Sequence, residues 1–195
     1  MNNILLCGVG GQGSILASKL IALAAMNKKM MVRSAETIGM AQRGGSVVSH
    51  VRTGEMVYSP MIAEGQADLM IAFEPGEAMR NLRFLKPDGC LVTTAQAVMP
   101  VTASLGMGHY NQSDTIDFLK KRVASLYLVD GEKICAEAGS PKVLNTALLG
   151  AAAKSGKLGL TLGEMEKAVK SRLPEKLHEM NLKAMKKGYE TEKQQ

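Results

Sequence analysis

Two glycine-bearing stretches hold the residues whose types and spacing could do chemistry. The first is CGVGGQGS at Cys7–Ser14, where Gly8, Gly10 and Gly13 satisfy G-x-G-x-x-G. Glycines there allow a tight turn and close approach of a phosphate, whose charge a helix N-terminus favours. Glu36 follows where an acidic partner for a ribose would stand. On those terms the loop is a dinucleotide-binding candidate; the plainer reading is a strand-to-helix turn whose glycines serve packing alone. Three details weaken the nucleotide reading: Gly11 adds a fourth glycine, Gln12 offers an amide from the loop, and no helical pattern follows Glu36. No P-loop is present, because the chain has no GK[ST].

The second stretch is GMAQRGGS at Gly39–Ser46, with Gln42 and Arg43 ahead of Gly44 and Gly45. Its glycines would let main-chain amides approach an anion or another backbone. Arg43 could hold a carboxylate or phosphate in a forked geometry; the simpler alternative is a surface turn with one exposed arginine. Glu74 ends an apolar run, where open α/β sheets place their sites, but a cap for the helix at Pro75 is its commoner role. Thr93 and Thr94, at the next strand end, are similarly ambiguous. His50, His109 and His178 show no partner pattern, and no Ser/His/Asp order or paired-carboxylate spacing stands out. No residue is assigned a catalytic role. Cys7, Cys90 and Cys135 lie far apart without C-x-x-C, which supports neither an iron–sulfur cluster nor a zinc site within the chain. Unpaired cysteines suit a reduced, cytoplasmic compartment.

These loops need strands and helices to position them. Asn3–Cys7 reads as a buried strand, Ser14–Asn27 as a helix with Ile15, Leu16, Leu20, Leu23 and Ala24 at helical spacing, and Met30–Ala35 as a second strand. Such a βαβ unit places its strands parallel. Thr37–Gly45 has loop composition, Ser46–Thr53 is β-branched, and Met56–Pro60 is expected to return as the other arm of a hairpin. Strands follow at Leu69–Glu74, Cys90–Thr94 and Ser125–Val129, with helices from Pro75, from a cap at Ser113, from Ser140-Pro141, from a capping box at Thr161 and Glu164, and from Pro174. Pro87-Asp88-Gly89 reads as a turn, Ala95–Asn111 as irregular, and the tail ETEKQQ as frayed. The fold class is α/β: a three-layer, Rossmann-like mixed and mainly parallel sheet, with an antiparallel excursion and a helical C-terminal region. At 195 residues the chain is read as a single domain, with an α/β core over 1–139 and C-terminal helices over 140–190.

Composition excludes several function classes. No apolar run approaches the roughly 18 residues a membrane span needs, and MNNILLCG lacks the basic segment of a secretory signal. The net charge of +6 is mild, its C-terminal lysines are interspersed with acids, and aromatic stacking residues are scarce. Nucleic-acid binding and membrane association are therefore not expected. Fourteen methionines pack adaptably and suit either a core or a docking surface.

GVGGQG followed by SAETIGMAQRGGSVVSHVR resembles the gamma-type domain of the 2-oxoacid:ferredoxin oxidoreductases, and the wording is nearest the small (beta) subunit of the indolepyruvate type. The likeness continues in order through YSPMI (Tyr58–Ile62), AFEPGEAMR (Ala72–Arg80), LKPDG (Leu85–Gly89), NTALLGA (Asn145–Ala151) and KLHEMNLKAMKKGY. The resemblance implies a subunit of a complex that oxidatively decarboxylates a 2-oxoacid with coenzyme A, giving acyl-CoA, CO2 and reduced ferredoxin. Indolepyruvate enzymes act on aryl pyruvates from aromatic amino acid catabolism. The implied partners are a large (alpha) subunit, carrying thiamine diphosphate and 4Fe-4S clusters, and ferredoxin as electron acceptor. This chain would bind no cofactor alone. Gly8, Gly10, Gly11, Gly13, Gln42, Arg43, Gly44 and Gly45 carry over as motif positions, in loops that would wall the active site or the coenzyme A approach. The alternatives are a gamma subunit for pyruvate, 2-oxoglutarate or a branched-chain acid, and a free-standing nucleotide-binding oxidoreductase using Gly8–Gly13 and Glu36.

Overall fold

β1 (Asn2–Val9) is buried from Asn3 through Gly8, as an apolar run in the middle of a covered sheet requires. In the computed structural model, which describes residues 1–37, 44–98 and 111–194, this strand lies third in a six-stranded sheet of order β2-β3-β1-β4-β5-β6. The other strands are β2 (Met31–Thr37), β3 (Ser46–Gly54), β4 (Ala67–Ala72), β5 (Leu85–Thr94) and β6 (Ser125–Val129). β1, β4, β5 and β6 pair in parallel, and β3 is antiparallel to both β1 and β2.

Side chains alternate between two apolar clusters, one on each face. Ile4, Leu6, Leu69, Ile71 and Val92 join the larger cluster, with α1 (Ser14–Asn27) and the C-terminal helices. Leu5, Cys7, Met70, Ala72 and Leu91 join the smaller one, against α2 (Pro75–Asn81) and α3 (Gln112–Arg122). The described helices are completed by α4 (Gly131–Ala138), α5 (Leu144–Lys154), α6 (Leu162–Arg172) and α7 (His178–Tyr189). The result is a three-layer α/β fold with a mixed, mainly parallel sheet.

Several local expectations are corrected. Met56–Pro60 forms no strand; β3 instead pairs back on β2 and inserts between β2 and β1. The turn at Pro87-Asp88-Gly89 lies inside β5, where register jumps from Ala67↔Leu85 to Leu69↔Cys90 and the extra residues bulge. Asn111, not Ser113, caps α3, its side chain accepting the Ser113 amide at 3.0 Å. α4 is a helix the sequence reading missed; its cap is Asp130, which accepts the Lys133 amide at 3.1 Å, and Gly139 closes it at φ 72°. The tail is tied to the sheet edge: Lys193 bridges Tyr127, and the Gln194 amide donates to the Leu126 carbonyl at 2.8 Å. The capping box at Thr161 and Glu164 forms as expected.

Candidate functional site

Parallel strands bring the carboxyl ends of β1, β4, β5 and β6 to one side of the sheet, together with the start of β3. There the first glycine loop is braced from within. Gln12 accepts the Val9 amide at 2.7 Å and donates to the Phe73 carbonyl at 3.2 Å, so its side chain ties β1 to the end of β4. The brace leaves no room at Gly8, where an added Cβ would lie 2.8 Å from both Gln12 Oε1 and Phe73 Cβ. Gly13 begins α1 at φ 89°, with no side chain capping the helix, and Asn145 of α5 packs 3.2 Å from where its Cβ would be.

The two glycine loops are joined directly. The Gly10 amide donates to the Gly45 carbonyl at 2.8 Å, and the Gly44 amide to the Gly10 carbonyl at 3.3 Å. Gly11 and Gly44 both adopt positive φ, 106° and 78°, with open space where a side chain would stand. Gln42 and Arg43, together with His109, lie outside the described residues. The root of the second loop is fixed by a buried carboxylate: Ser46 Oγ donates to Glu77 Oε2 at 2.5 Å, and Arg80 pairs with Glu77 Oε1. Glu74 is the cap expected for α2, accepting the Glu77 amide at 2.9 Å. Burial, with Glu77 and Glu74 adding in the same direction, pushes the Cys7 thiol far above the ordinary thiol range.

Glu36 stands apart from this cluster. β3 separates β2 from β1, so Glu36 lies two strand spacings, roughly 10 Å, across the sheet. Its carboxylate accepts the Ser18 hydroxyl of α1 at 3.0 Å. The structure thus brings Gly8, Gly10, Gly11, Gln12, Gly13, Gly44 and Gly45 to one rim and leaves Glu36 on the face beneath α1.

Two adjoining clefts open beside the first loop. One of about 510 Å³ is lined by Gly11, Gln12, Gly13, Leu16, Lys142 and Asn145, among others. The other, about 270 Å³, is lined by Phe73, Thr94, Gln96, Val98, Glu132 and Cys135, and shares Gln12, Pro141 and Leu144 with the first. Gln96 links β5 to α4, accepting the Thr94 hydroxyl at 2.6 Å and the Glu132 amide at 3.3 Å. Lys142, Asn145 and Gln96 were not singled out in the sequence. Asn145 carries no chemical pattern of its own in the sequence, and the second cleft depends on α4, which the sequence reading does not give. His178 is structural, bonded to the Leu173 carbonyl at 2.8 Å. Among the described residues no group of three or more His, Cys, Asp or Glu could hold a metal ion. With Cys7 and Cys90 buried and Cys135 half-buried, this donor set does not fit an iron–sulfur cluster. None of the described helices is long and apolar enough to cross a membrane.

Comparison with known proteins covers the whole arrangement. Residues 3–191 match the family model described as pyruvate ferredoxin/flavodoxin oxidoreductase. The chain is 36% identical to indolepyruvate oxidoreductase subunit IorB of Thermococcus kodakarensis, covering 98% of this chain and 96% of that one. It is 38% identical to the subunit of the same name from Archaeoglobus fulgidus, covering 96% and 93%. The solved gamma subunit of a keto/oxoacid ferredoxin oxidoreductase from Geobacter sulfurreducens shares the fold, with a TM-score of 0.71, 24% identity and 97% of each chain covered.

Proposed function

Because the chain belongs to the pyruvate ferredoxin/flavodoxin oxidoreductase family, we propose that it is the small, non-catalytic subunit of a coenzyme A- and ferredoxin-dependent 2-oxoacid oxidoreductase of the arylpyruvate type. Its relatives at 36% and 38% identity are named as subunits of indolepyruvate oxidoreductases, and the match runs end to end. The geometric observation that carries the reading is β3. By lying between β1 and β2 it fills the place beside β1 that the second strand of a dinucleotide-binding half would take, and Gly44 and Gly45, just before it, join the two glycine loops. Thiamine diphosphate and iron–sulfur clusters on the larger subunit would supply carbanion stabilisation and electron transfer. This chain's share is shape: glycine rims that admit another backbone or a ligand closely, free first-turn amides of α1, and the Lys142 ammonium at the cleft mouth. The chain acts as one domain, with the helices of 140–190 packed on the core of 1–139, in the cytoplasm, where its three cysteines stay reduced.

Native purification under anaerobic conditions tests the assembly. A larger, brown, cluster-bearing chain is expected to accompany this one, and the complex to reduce ferredoxin with aryl pyruvates in preference to pyruvate, 2-oxoglutarate and branched-chain acids. A colourless homo-oligomer, or micromolar binding of NAD(H) or FAD to the isolated chain, would favour a free-standing enzyme. Arg43→Ala is expected to lower turnover per assembled complex at least tenfold while leaving assembly intact; unchanged turnover removes Arg43 from the site.

A further inference from the structure

α2 is about two turns long, yet it carries two buried carboxylates, Glu74 at its cap and Glu77 in its first turn, 3% and 1% exposed. A carboxylate taken out of water is costly unless hydrogen-bonding or charged partners meet it, so two in so short a helix need a reason. Glu74 has one. It caps α2 through the Glu77 amide, and its other oxygen accepts the Val98 amide at 3.4 Å, at the lip of the smaller cleft. The Glu77 side chain is not needed for that cap. Arg80, one turn on, pairs with Oε1, and Oε2 accepts the Ser46 hydroxyl at 2.5 Å across 31 positions of chain. Ser46 opens β3 opposite Val9, and the two residues before it, Gly44 and Gly45, are the ones that bond Gly10. A continuous line of bonds therefore runs from Arg80 through Glu77 and Ser46 to the place where the two glycine loops meet.

That meeting point needs a clamp. A Cβ added at Gly11 or Gly44 would touch nothing within 4 Å, so no packing sets those positions, and glycine backbone has the most conformational freedom to lose. The two backbone bonds that join the loops are neutral, and one is 3.3 Å long. The Ser46–Glu77 bond is short and charge-assisted, the class that fixes geometry most firmly. Building on the subunit reading, with the glycine rim walling the coenzyme A approach, we propose that Glu77 is a positioning residue. Through Ser46 it holds Gly44 and Gly45 against Gly10 and keeps the rim in the shape that the entering co-substrate requires. A rim already ordered gives up less freedom when it is occupied. Loosening it weakens the binding of coenzyme A and leaves the chemical step, on the larger subunit, as it was.

The test is reduction of ferredoxin by the complex of this chain with its large subunit, using an aryl pyruvate and varied coenzyme A. Ser46→Ala removes the link and leaves the Glu77–Arg80 pair in place; Ser46 is exposed, so water can take the place of its hydroxyl and the fold is kept. That variant is expected to raise the KM for coenzyme A at least fivefold, with kcat within twofold of wild type. Ser46→Thr, which restores a hydroxyl, is expected to return the KM to the wild-type value. Glu77→Gln keeps an acceptor for Ser46 but loses the ion pair with Arg80, and its KM is expected to fall between the two. A Ser46→Ala complex with the wild-type KM overturns the positioning role and leaves the subunit reading standing. So does a loss of kcat at unchanged KM, a failure to assemble, or a Ser46→Thr complex that stays as impaired as Ser46→Ala. A wild-type complex whose ferredoxin reduction does not depend on coenzyme A overturns both.

Discussion

The two ends of the sheet are built on opposite plans. At the carboxyl end of the parallel strands, glycines of the two loops meet through backbone bonds, Gly10 to Gly45 and Gly44 to Gly10, with the Gln12 side chain bracing the first loop. At the other end, residues 55–66 carry Met56, Tyr58 and Met61 outward and are held by side chains, the Arg52 fork and the His50 ring. Among the described residues both ends are irregular, and both are tied by specific bonds. The difference lies in what each leaves available: main-chain amides around an opening at one end, protruding apolar groups at the other. A rim of amides suits a ligand or backbone that must come close, whereas protruding groups add little to the fold that carries them. Substitutions at the two ends should therefore fail in different ways.

The largest expected effect is at the crevice. In Gly8→Ala the new methyl would stand 2.8 Å from Gln12 Oε1 and from the Cβ of fully buried Phe73. Gln12 could yield only by breaking its bonds to Val9 and Phe73. Overpacking of this kind costs about 3 kcal/mol, at the upper end of its usual range. For a chain of this size that corresponds to a fall in Tm of roughly 6–12 °C, readable by calorimetry. A fall below about 1 °C would show that the brace is slack and that the loop's glycines serve approach alone.

That brace also shows which parts of the site could be read in the sequence. Glycine spacing announces a turn, because few other residues take φ of 106° or 89°, so the loop and its helix were legible. Glu36 stands apart from the glycine loops for a reason that no local pattern encodes. Strand order is settled by pairing between distant segments, and β3 intervenes only because its register with β1 runs from Asn2↔Thr53 to Val9↔Ser46. α4 was missed because its short run GEKICAEA has little periodicity; Asp130 and Gly139 at its ends were the available signal. The tail's composition reads as frayed, and the strand edge that holds it is visible only once the sheet is assembled. Nothing in YSPMI itself shows that Tyr58 and Met61 are exposed; the segment's path depends on Arg52, six and nine residues before them, turning to bond the Ser59 and Met61 carbonyls.

A smaller effect should appear at the opposite end as a pH dependence. Burial lowers the His50 pKa below its ordinary 6.5, and the ring accepts the Ile62 amide at Nδ1, which requires the neutral form. The unfolded chain therefore takes up the proton first. The stability this group contributes is complete above about 6.5, the unfolded value, and is lost as pH falls from there through the lower folded-state pKa. Thermal midpoints of the isolated chain at pH 7.5 and 5.5 should show the decline, and His50→Gln should reduce the difference between them. An unchanged slope in the variant would mean that His50 titrates alike in the folded and unfolded chain and that the segment is held by Arg52 alone.

The smallest effect is expected from Tyr58→Ser in the isolated chain. Tyr58 is 83% exposed, so the substitution removes little area already withdrawn from water, and its one bond, to Met56 Sδ, is itself at the surface. Surface changes of this kind stay within about 0.5 kcal/mol. The contrast with Gly8→Ala is the informative quantity. A residue that supports its own fold should cost stability when replaced, and one that stands in solvent should cost almost none. If Tyr58→Ser lowers the stability of the isolated chain by more than about 1 kcal/mol, Tyr58 is packing against its own domain. The two ends would then differ in chemistry but not in how much of the fold they hold.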